Sequence, residues 1–379
     1  MSNIKINIIF ESDIRGHVLE YLHNIYMYAI HSEDNFVFLL PRSFEEFKSN
    51  LHWPESENVS FHFITETEAE MCNHPNVLKS ALERSRCIRK YAKELKADNV
   101  FLIFLIRTMP FLPFYLPRKT KASGIIYSIP LYKSGQSRGQ NIKDKVIYRL
   151  FARKKNIRNI FMLNDPRSAA HYNEKYGTDK FLHLTDPIPE IDMSQVKNMR
   201  EELEIPTENT IYLQFGSIDS RKNSLNILRA LTLMTPEELK GKTVIFMGRM
   251  NSYIKEDFNK LVAELSDKVQ IIVNEGFVPY DYLNSMCYTA DVILTIYNNV
   301  EMSSGSIGYA AYFGKTVVGP SAGLLGNLIK DNNLGITIDN VTPENIKQTL
   351  LANVRPLENN YKVTHTVKVF CETILTSLK

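Results

Sequence analysis

Short runs of β-branched and aromatic residues alternate with stretches of helical periodicity along almost the whole chain. In the first half, Ile4–Phe10, Phe36–Leu40, Val59–Ile64, Val100–Leu105, Gly124–Ser128, Asn159–Met162 and Phe181–Leu184 predict strands. Amphipathic stretches such as Val18–Ile30, Val77–Lys96 and Lys143–Phe151 lie between them and predict helices. The second half repeats the alternation, with strands expected at Thr210–Phe215, Thr243–Met247, Val269–Val273, Val292–Thr295, Thr316–Val318 and Gly335–Ile338. Strand and helix in regular succession imply parallel sheets covered on both faces. Two successive arrays imply two doubly wound, Rossmann-like α/β domains.

The boundary is expected at Asp186-Pro187-Ile188-Pro189-Glu190, two prolines in five residues after a strand. That gives a first domain over 1–188 and a second over 189–355, the latter opening on a helix near Met193–Leu203. Residues 356–379 carry one more helical pattern, Val363 to Leu378, expected to cross back and pack on the first domain. Function is then expected in the cleft between the domains, where the carboxyl ends of the strands face each other.

Composition narrows the class. With 44% hydrophobic and 23% charged residues the chain reads as an ordinary globular protein, and a net charge of +3 gives no global case for nucleic-acid binding. Cys72, Cys87, Cys287 and Cys371 are scattered without metal-type spacing and read as reduced thiols. The N-terminus runs straight into a strand pattern, and no apolar run approaches a membrane span, so a cytoplasmic protein is expected.

The most telling stretch is 291–319, DVILTIYNNVEMSSGSIGYAAYFGKTVVG. A strand leads into a polar loop bearing Glu301, then Ser303, Ser304, Gly305 and Ser306 open a helix that Gly314 stops before the next strand. Free N–H groups and the positive end of the helix dipole suit a phosphate at that start. Serines are also ordinary caps, so alone the motif decides nothing. Glu301 just ahead of it suits sugar or ribose hydroxyls.

Three further strand ends carry glycine. Phe215-Gly216-Ser217 leads to Arg221 and Lys222, a cation pair that suits a diphosphate. Helix N-termini disfavour cations, so two of them ask for a reason. Gly248-Arg249 ends the next strand, and Gly276 with the apolar Phe277-Val278 pair, fit for a base, ends the third. Four such ends in a row describe a nucleotide-sized site.

In these motifs the second domain resembles the donor-binding half of family 4-type GT-B glycosyltransferases. Gly216 with Lys222, Gly276-Phe277-Val278, Glu301 and Gly314-Lys315-Thr316-Val317 match that family in order and spacing. Asp186-Pro187-Ile188 resembles its interdomain segment, and Gly16-His17 its glycine-bearing first loop. Ser217 stands where the family usually has Arg, and Tyr309 where it has the second Glu that holds ribose hydroxyls; Arg221 and the Tyr309 phenol are the replacements at hand. The family's first-domain histidine is missing after Ile125-Ile126, where only Ser128 and Tyr132 follow.

The resemblance implies a GT-B architecture and a retaining, metal-free transfer from a nucleotide-sugar such as a UDP- or GDP-sugar, with no cofactor. It implies that Lys222, helped by Arg221, and the amides of Ser304, Gly305 and Ser306 stabilise the departing diphosphate, and that Glu301 orients the donor sugar. His17 is the histidine placed in the cleft. The acceptor would be a hydroxyl of a surface polysaccharide or a lipid-linked glycan. A nucleotide-sugar epimerase of the same fold and a non-catalytic GT-B binding protein are the alternatives.

Residues 138–158 hold eight Lys or Arg against Asp144 alone, with Val146, Ile147, Leu150 and Phe151 as an apolar stripe. The segment suits an anionic membrane surface at the inner face of the membrane or a lipid-pyrophosphate acceptor, or else a helix packed by its stripe with a solvated basic face. Met109–Lys121 reads as a short buried helix or an acceptor-facing loop.

Overall fold

A computed structural model describes residues 4–14, 18–48, 52–132, 138–352 and 358–379. The chain divides into two compact units, one formed by Met1–Pro130, Ser134–Thr185 and Val367–Lys379, the other by Leu131–Lys133 and Asp186–Thr366.

The first unit holds seven parallel strands: β1 (Ile6–Phe10), β2 (Asn35–Pro41), β3 (Val59–Ile64), β4 (Asn99–Leu102), β5 (Lys121–Ile126), β6 (Ile157–Leu163) and β7 (Phe181–Leu184). They stand in the order β3-β2-β1-β4-β5-β6-β7. The second holds six: β8 (Thr210–Phe215), β9 (Lys242–Gly248), β10 (Gln270–Glu275), β11 (Val292–Leu294), β12 (Thr316–Pro320) and β13 (Gly335–Ile338), in the order β10-β9-β8-β11-β12-β13. Strand order reverses between β1 and β4 and again between β8 and β11, the switch points of doubly wound sheets. The central strands are apolar on both faces because helices cover both. Each strand expected from the sequence is present.

Packing of the first unit centres on Ile9, Leu22, Ile25, Phe38, Phe101 and Phe161. The last helix, Val367–Leu378, belongs to this core through Val367, Phe370, Ile374 and Leu378, spaced to share one helical face. The Phe370 ring lies 5.1 Å from that of Tyr21 on the helix Val18–Ala29. The chain's end thus crosses back to its beginning.

Three expectations change. The helix expected over Val363–Leu378 is broken into Tyr361–Thr364 and Val367–Leu378. At the break the His365 carbonyl accepts the Ile188 N–H at 2.8 Å, and the His365 ring stacks on Tyr361 at 3.5 Å. An acceptor that would have continued the helix is given to the Asp186–Pro189 segment instead.

Met193–Leu203 is not a helix but a single 3₁₀ turn, Met193–Gln195, followed by extended chain and turns. Its amides are taken by side chains of the helix Tyr280–Thr289: Lys197 N–H by Ser285 Oγ at 3.1 Å and Met199 N–H by Thr289 Oγ1 at 2.8 Å. Sequence periodicity does not report such capture.

The basic segment is a helix, Arg138–Arg153, but its inward face is Tyr148, Phe151 and Ala152, whereas Val146 is 62% exposed and outside the stripe. In Met109–Lys121 the helix is a four-residue turn, Leu112–Tyr115, with Leu112 fully buried.

Candidate functional site

The carboxyl ends of β10, β9, β8 and β11 lie side by side. Gly216, Gly248 and Gly276 follow or end the first three, with φ of 96°, 131° and 134°. The need for glycine is steric as well as torsional at Gly248, where a Cβ would stand 1.3 Å from the Gly216 carbonyl oxygen. The Gly248 carbonyl in turn accepts the Gly276 N–H at 3.1 Å. Beyond the glycines, Ile218 N–H donates to Arg249 O and Asn251 N–H to Ile218 O, each at 3.0 Å, so the loops after β8 and β9 are fastened together.

After Gly216 the chain turns around Asp219, whose Oδ1 accepts the Lys222 N–H at 2.8 Å. Asn223 adopts a left-handed φ of 62°, and only then does the helix Ser224–Thr232 begin. Lys222 is therefore on the loop, one residue before the cap Asn223, rather than within the helix. Its backbone carbonyl accepts from Gln214 Nε2 at 2.8 Å, while its side chain folds back to the strand end.

There the ammonium donates to the Phe215 carbonyl at 2.5 Å and is only 7% exposed. A Cβ on residue 216 would meet Lys222 Nζ at 2.5 Å, so Gly216 also makes room for this charge. Among the described residues no carboxylate lies within ion-pair distance of it. A buried cation surrounded by a carbonyl, aromatic faces and the Tyr297 hydroxyl, with no carboxylate among the described residues, is left needing an anion.

One of those faces is Tyr297, whose ring centroid is 5.0 Å from Lys222 Nζ. Tyr297 stands just past β11, 4% exposed, and its hydroxyl is 3.0 Å from Ser306 Oγ. Ser304 Oγ donates to the same hydroxyl at 3.5 Å. Burial would raise the phenol's pKa; the Lys222 charge and the bonds with Ser304 and Ser306 outweigh it and lower the value below the ordinary 10.0. The next residue, Asn298, locks the two loops, its N–H donating to Arg221 O at 2.9 Å and its Nδ2 to Ser220 O at 2.8 Å. Neither Tyr297 nor Asn298 was singled out by the sequence, although both precede Glu301 on the same polar loop.

The helix behind this loop is Gly305–Tyr312, capped by Ser304, whose Oγ accepts the Ser306 N–H at 3.4 Å. Ser304 O accepts the Ile307 N–H at 3.0 Å. Of the amides expected to hold a phosphate, that of Ser306 is thus engaged by a long cap bond that an anion would have to replace. Ser303 Oγ donates to Asp186 Oδ2 at 3.0 Å. Glu301 is half-buried, its N–H donating to Asn299 Oδ1 at 3.3 Å, and its carboxylate has no partner among the described residues.

Other expected residues are placed as follows. Arg221 is 49% exposed and reaches Asp219 at 3.5 Å, so it lies at the rim rather than beside Lys222. Arg249 is exposed, Ser217 half-buried, and Phe277 82% exposed beside a half-buried Val278. Tyr309 is 4% exposed and packs edge-on against Phe215 at 5.6 Å, within the core behind the loop. Gly16 and His17 lie outside the described residues.

At the end of β1 in the first unit stands a feature the sequence did not announce. Glu11 and Arg84, each 1% exposed, form an ion pair at 3.0 Å. Glu11 Oε1 also accepts the N–H groups of Ser12 at 2.8 Å and Asp13 at 3.1 Å. Arg84 further donates to Cys72 O at 2.8 Å and to Asn73 Oδ1 at 2.7 Å. The first residues past the strand are held by a saturated buried network.

No family model and no curated protein sequence matches the chain. Solved structures do. HepE of Anabaena in complex with UDP is similar at 14% identity over 99% of both chains, with a TM-score of 0.66. Sucrose-phosphate synthase of Thermosynechococcus elongatus is similar at 11% identity over 99% of this chain and 98% of that one, TM-score 0.68. A glycosyltransferase from Rickettsia africae ESF-5 is similar at 14% identity over 100% and 94%, TM-score 0.63. HepE has also been solved with UDP-glucose. The chain has the GT-B fold of these structures.

Proposed function

We propose that the chain transfers a sugar from a nucleotide-diphosphate donor to an acceptor hydroxyl, with retention and without a metal. The observation that carries this reading is Lys222: a buried ammonium without a carboxylate partner, at a sheet's switch point, 5.0 Å from the tyrosine that joins it to the first turn of a helix. Stabilising charge that develops on a leaving diphosphate is what such a placement does best. The UDP and UDP-glucose complexes of HepE, a protein of the same fold, support a nucleotide-sugar donor by analogy.

In this scheme the bond from the anomeric carbon to the diphosphate oxygen breaks while the acceptor oxygen bonds to the same carbon on the same face. The acceptor proton passes to a phosphate oxygen. Lys222 neutralises the diphosphate, assisted by Arg221 at the rim and by the Ser304–Ser306 helix start. Glu301, its carboxylate uncommitted, orients the sugar hydroxyls, and Phe277 with Val278 offers an apolar surface to the base. Gly216, Gly248 and Gly276 keep backbone rather than side chains against the ligand. The acceptor is a glycan or lipid-linked glycan hydroxyl, met on the cytoplasmic side, with residues 138–158 against an anionic membrane. No helix among the described residues is long and apolar enough to cross a membrane.

Calorimetric titration with UDP, GDP and ADP tests the reading. One of the three binds wild type, and Lys222→Ala loses most of that affinity. Equal binding by both proteins removes Lys222 from the site. Conversion of a UDP-sugar without any acceptor would point to epimerisation instead.

A further inference from the structure

The first unit carries a second concentration of positive charge, on the sheet edge opposite to the end of β1 where Glu11 stands. Here the amino ends of four adjacent strands, β1, β4, β5 and β6, form the floor of a concavity of about 340 Å³. Lys5 precedes β1, Asp98 precedes β4, Lys121 begins β5, and Lys155 and Arg158 flank the start of β6; Lys119 completes the wall. Five cations thus face one carboxylate, a local surplus greater than the +3 of the whole chain.

The internal partners account for only part of this charge. Lys5 Nζ donates to Leu378 O, at the end of the Val367–Leu378 helix, at 3.5 Å and to Lys379 O, just past that helix, at 2.5 Å. Lys121 Nζ reaches Lys155 O at 3.3 Å. Asp98 spends one oxygen on the Ile6 N–H at 3.0 Å. Among the described residues the side chains of Lys119, Lys155 and Arg158 make no hydrogen bond or ion pair. A sixth cation, Lys180, lies close enough to Lys121 to feel its repulsion, against the attraction of its neighbour Asp179. Like charges gathered with too few counter-charges repel one another, and a bound anion relieves that strain.

The lining also restricts the ligand. Every side chain facing the concavity ends in a polar or charged group, which favours a charged ligand. Several ammonium groups and one guanidinium suit a compact anion of two or more charges better than a single carboxylate. We propose that this concavity binds a phosphate-bearing ligand, a phosphomonoester or diphosphate. The group comes either from a small solute or from a lipid headgroup.

The test uses the full chain carrying Lys222→Ala, so that the proposed donor site does not contribute. Inorganic pyrophosphate binds this protein and raises its melting temperature. Adding Lys119→Gln, Lys155→Gln and Arg158→Gln, all at accessible positions, leaves the unliganded melting temperature intact and weakens pyrophosphate binding by about tenfold or more. Co-sedimentation with phosphatidic acid vesicles but not phosphatidylcholine vesicles, lost in the same variant and competed away by pyrophosphate, assigns the phosphate to a lipid headgroup. Pyrophosphate binding without vesicle capture assigns it to a solute. Pyrophosphate affinity and vesicle capture that are both unaffected by the three substitutions overturn the proposal. So does complete loss of pyrophosphate binding on Lys222→Ala alone, a result that would leave the donor-site reading standing.

Discussion

The Lys222 ammonium lies 5.0 Å above the ring of Tyr297, whose hydroxyl is 3.0 Å from Ser306 Oγ on the helix Gly305–Tyr312. One aromatic side chain thereby couples the cation of the β8 loop to the helix start after β11. Tyr297→Phe keeps the ring under the charge but removes the hydroxyl. The protein folds normally, and nucleoside diphosphate affinity in calorimetry falls by about twofold to tenfold, the worth of one net hydrogen bond. Tyr297→Leu, which also removes the aromatic face, costs more.

Glu301→Ala removes a half-buried carboxylate with no partner among the described residues, so melting temperature should move little. Transfer is abolished while nucleoside diphosphate binding persists. Retained turnover in a donor-consumption assay would reassign this residue.

Arg84 and Glu11 give a stability prediction. Arg84→Met leaves a carboxylate 1% exposed without its counter-charge and lowers unfolding free energy by about 3–5 kcal/mol in denaturant titration. The double substitution Glu11→Leu with Arg84→Met recovers a substantial part of that loss, because the desolvated charge is gone.

Two glycines with positive φ should respond differently to alanine. At Gly177, φ 60°, nothing lies within 4 Å of an added Cβ, and the cost is about 1–2 kcal/mol. At Gly248, where the added atom would overlap Gly216 O, backbone strain and overpacking together cost about 2–5 kcal/mol. Unfolding curves of the two variants separate them.

The pH dependence of stability should carry the mark of Glu68. Burial raises its pKa, but hydrogen bonds from Lys90, the Thr65 N–H and Tyr91 outweigh it and bring the value to about 2, against 4.5 unperturbed. A depressed carboxylate contributes stability above its unfolded value and loses it as pH falls through the folded one. Wild type exceeds Glu68→Gln in stability at neutral pH; the gap narrows below about pH 4.5 and closes near pH 2.

The strands were legible because parallel strands buried on both faces must be continuous apolar runs, and their parallel, doubly wound arrangement followed from the alternation with helices. Gly216, Gly248 and Gly276 were legible for the same reason, as interruptions at strand ends. The Met193–Leu203 segment misled because its apolar spacing suits a helix while Ser285 and Thr289, far along the chain, capture its amides. Val146 misled because two apolar stripes run side by side on the Arg138–Arg153 helix and packing covers the one that holds Tyr148. Tyr297 stayed hidden because sequence spacing does not tell which way a loop side chain turns.

The crossing of the Val367–Leu378 helix onto the core of the first unit sets an order of assembly. During synthesis the earlier array waits for a covering element made only after the whole second array of strands. Until Phe370 and Ile374 arrive, the apolar side chains of Tyr21 and Ile25 lack part of the core that shields them from water.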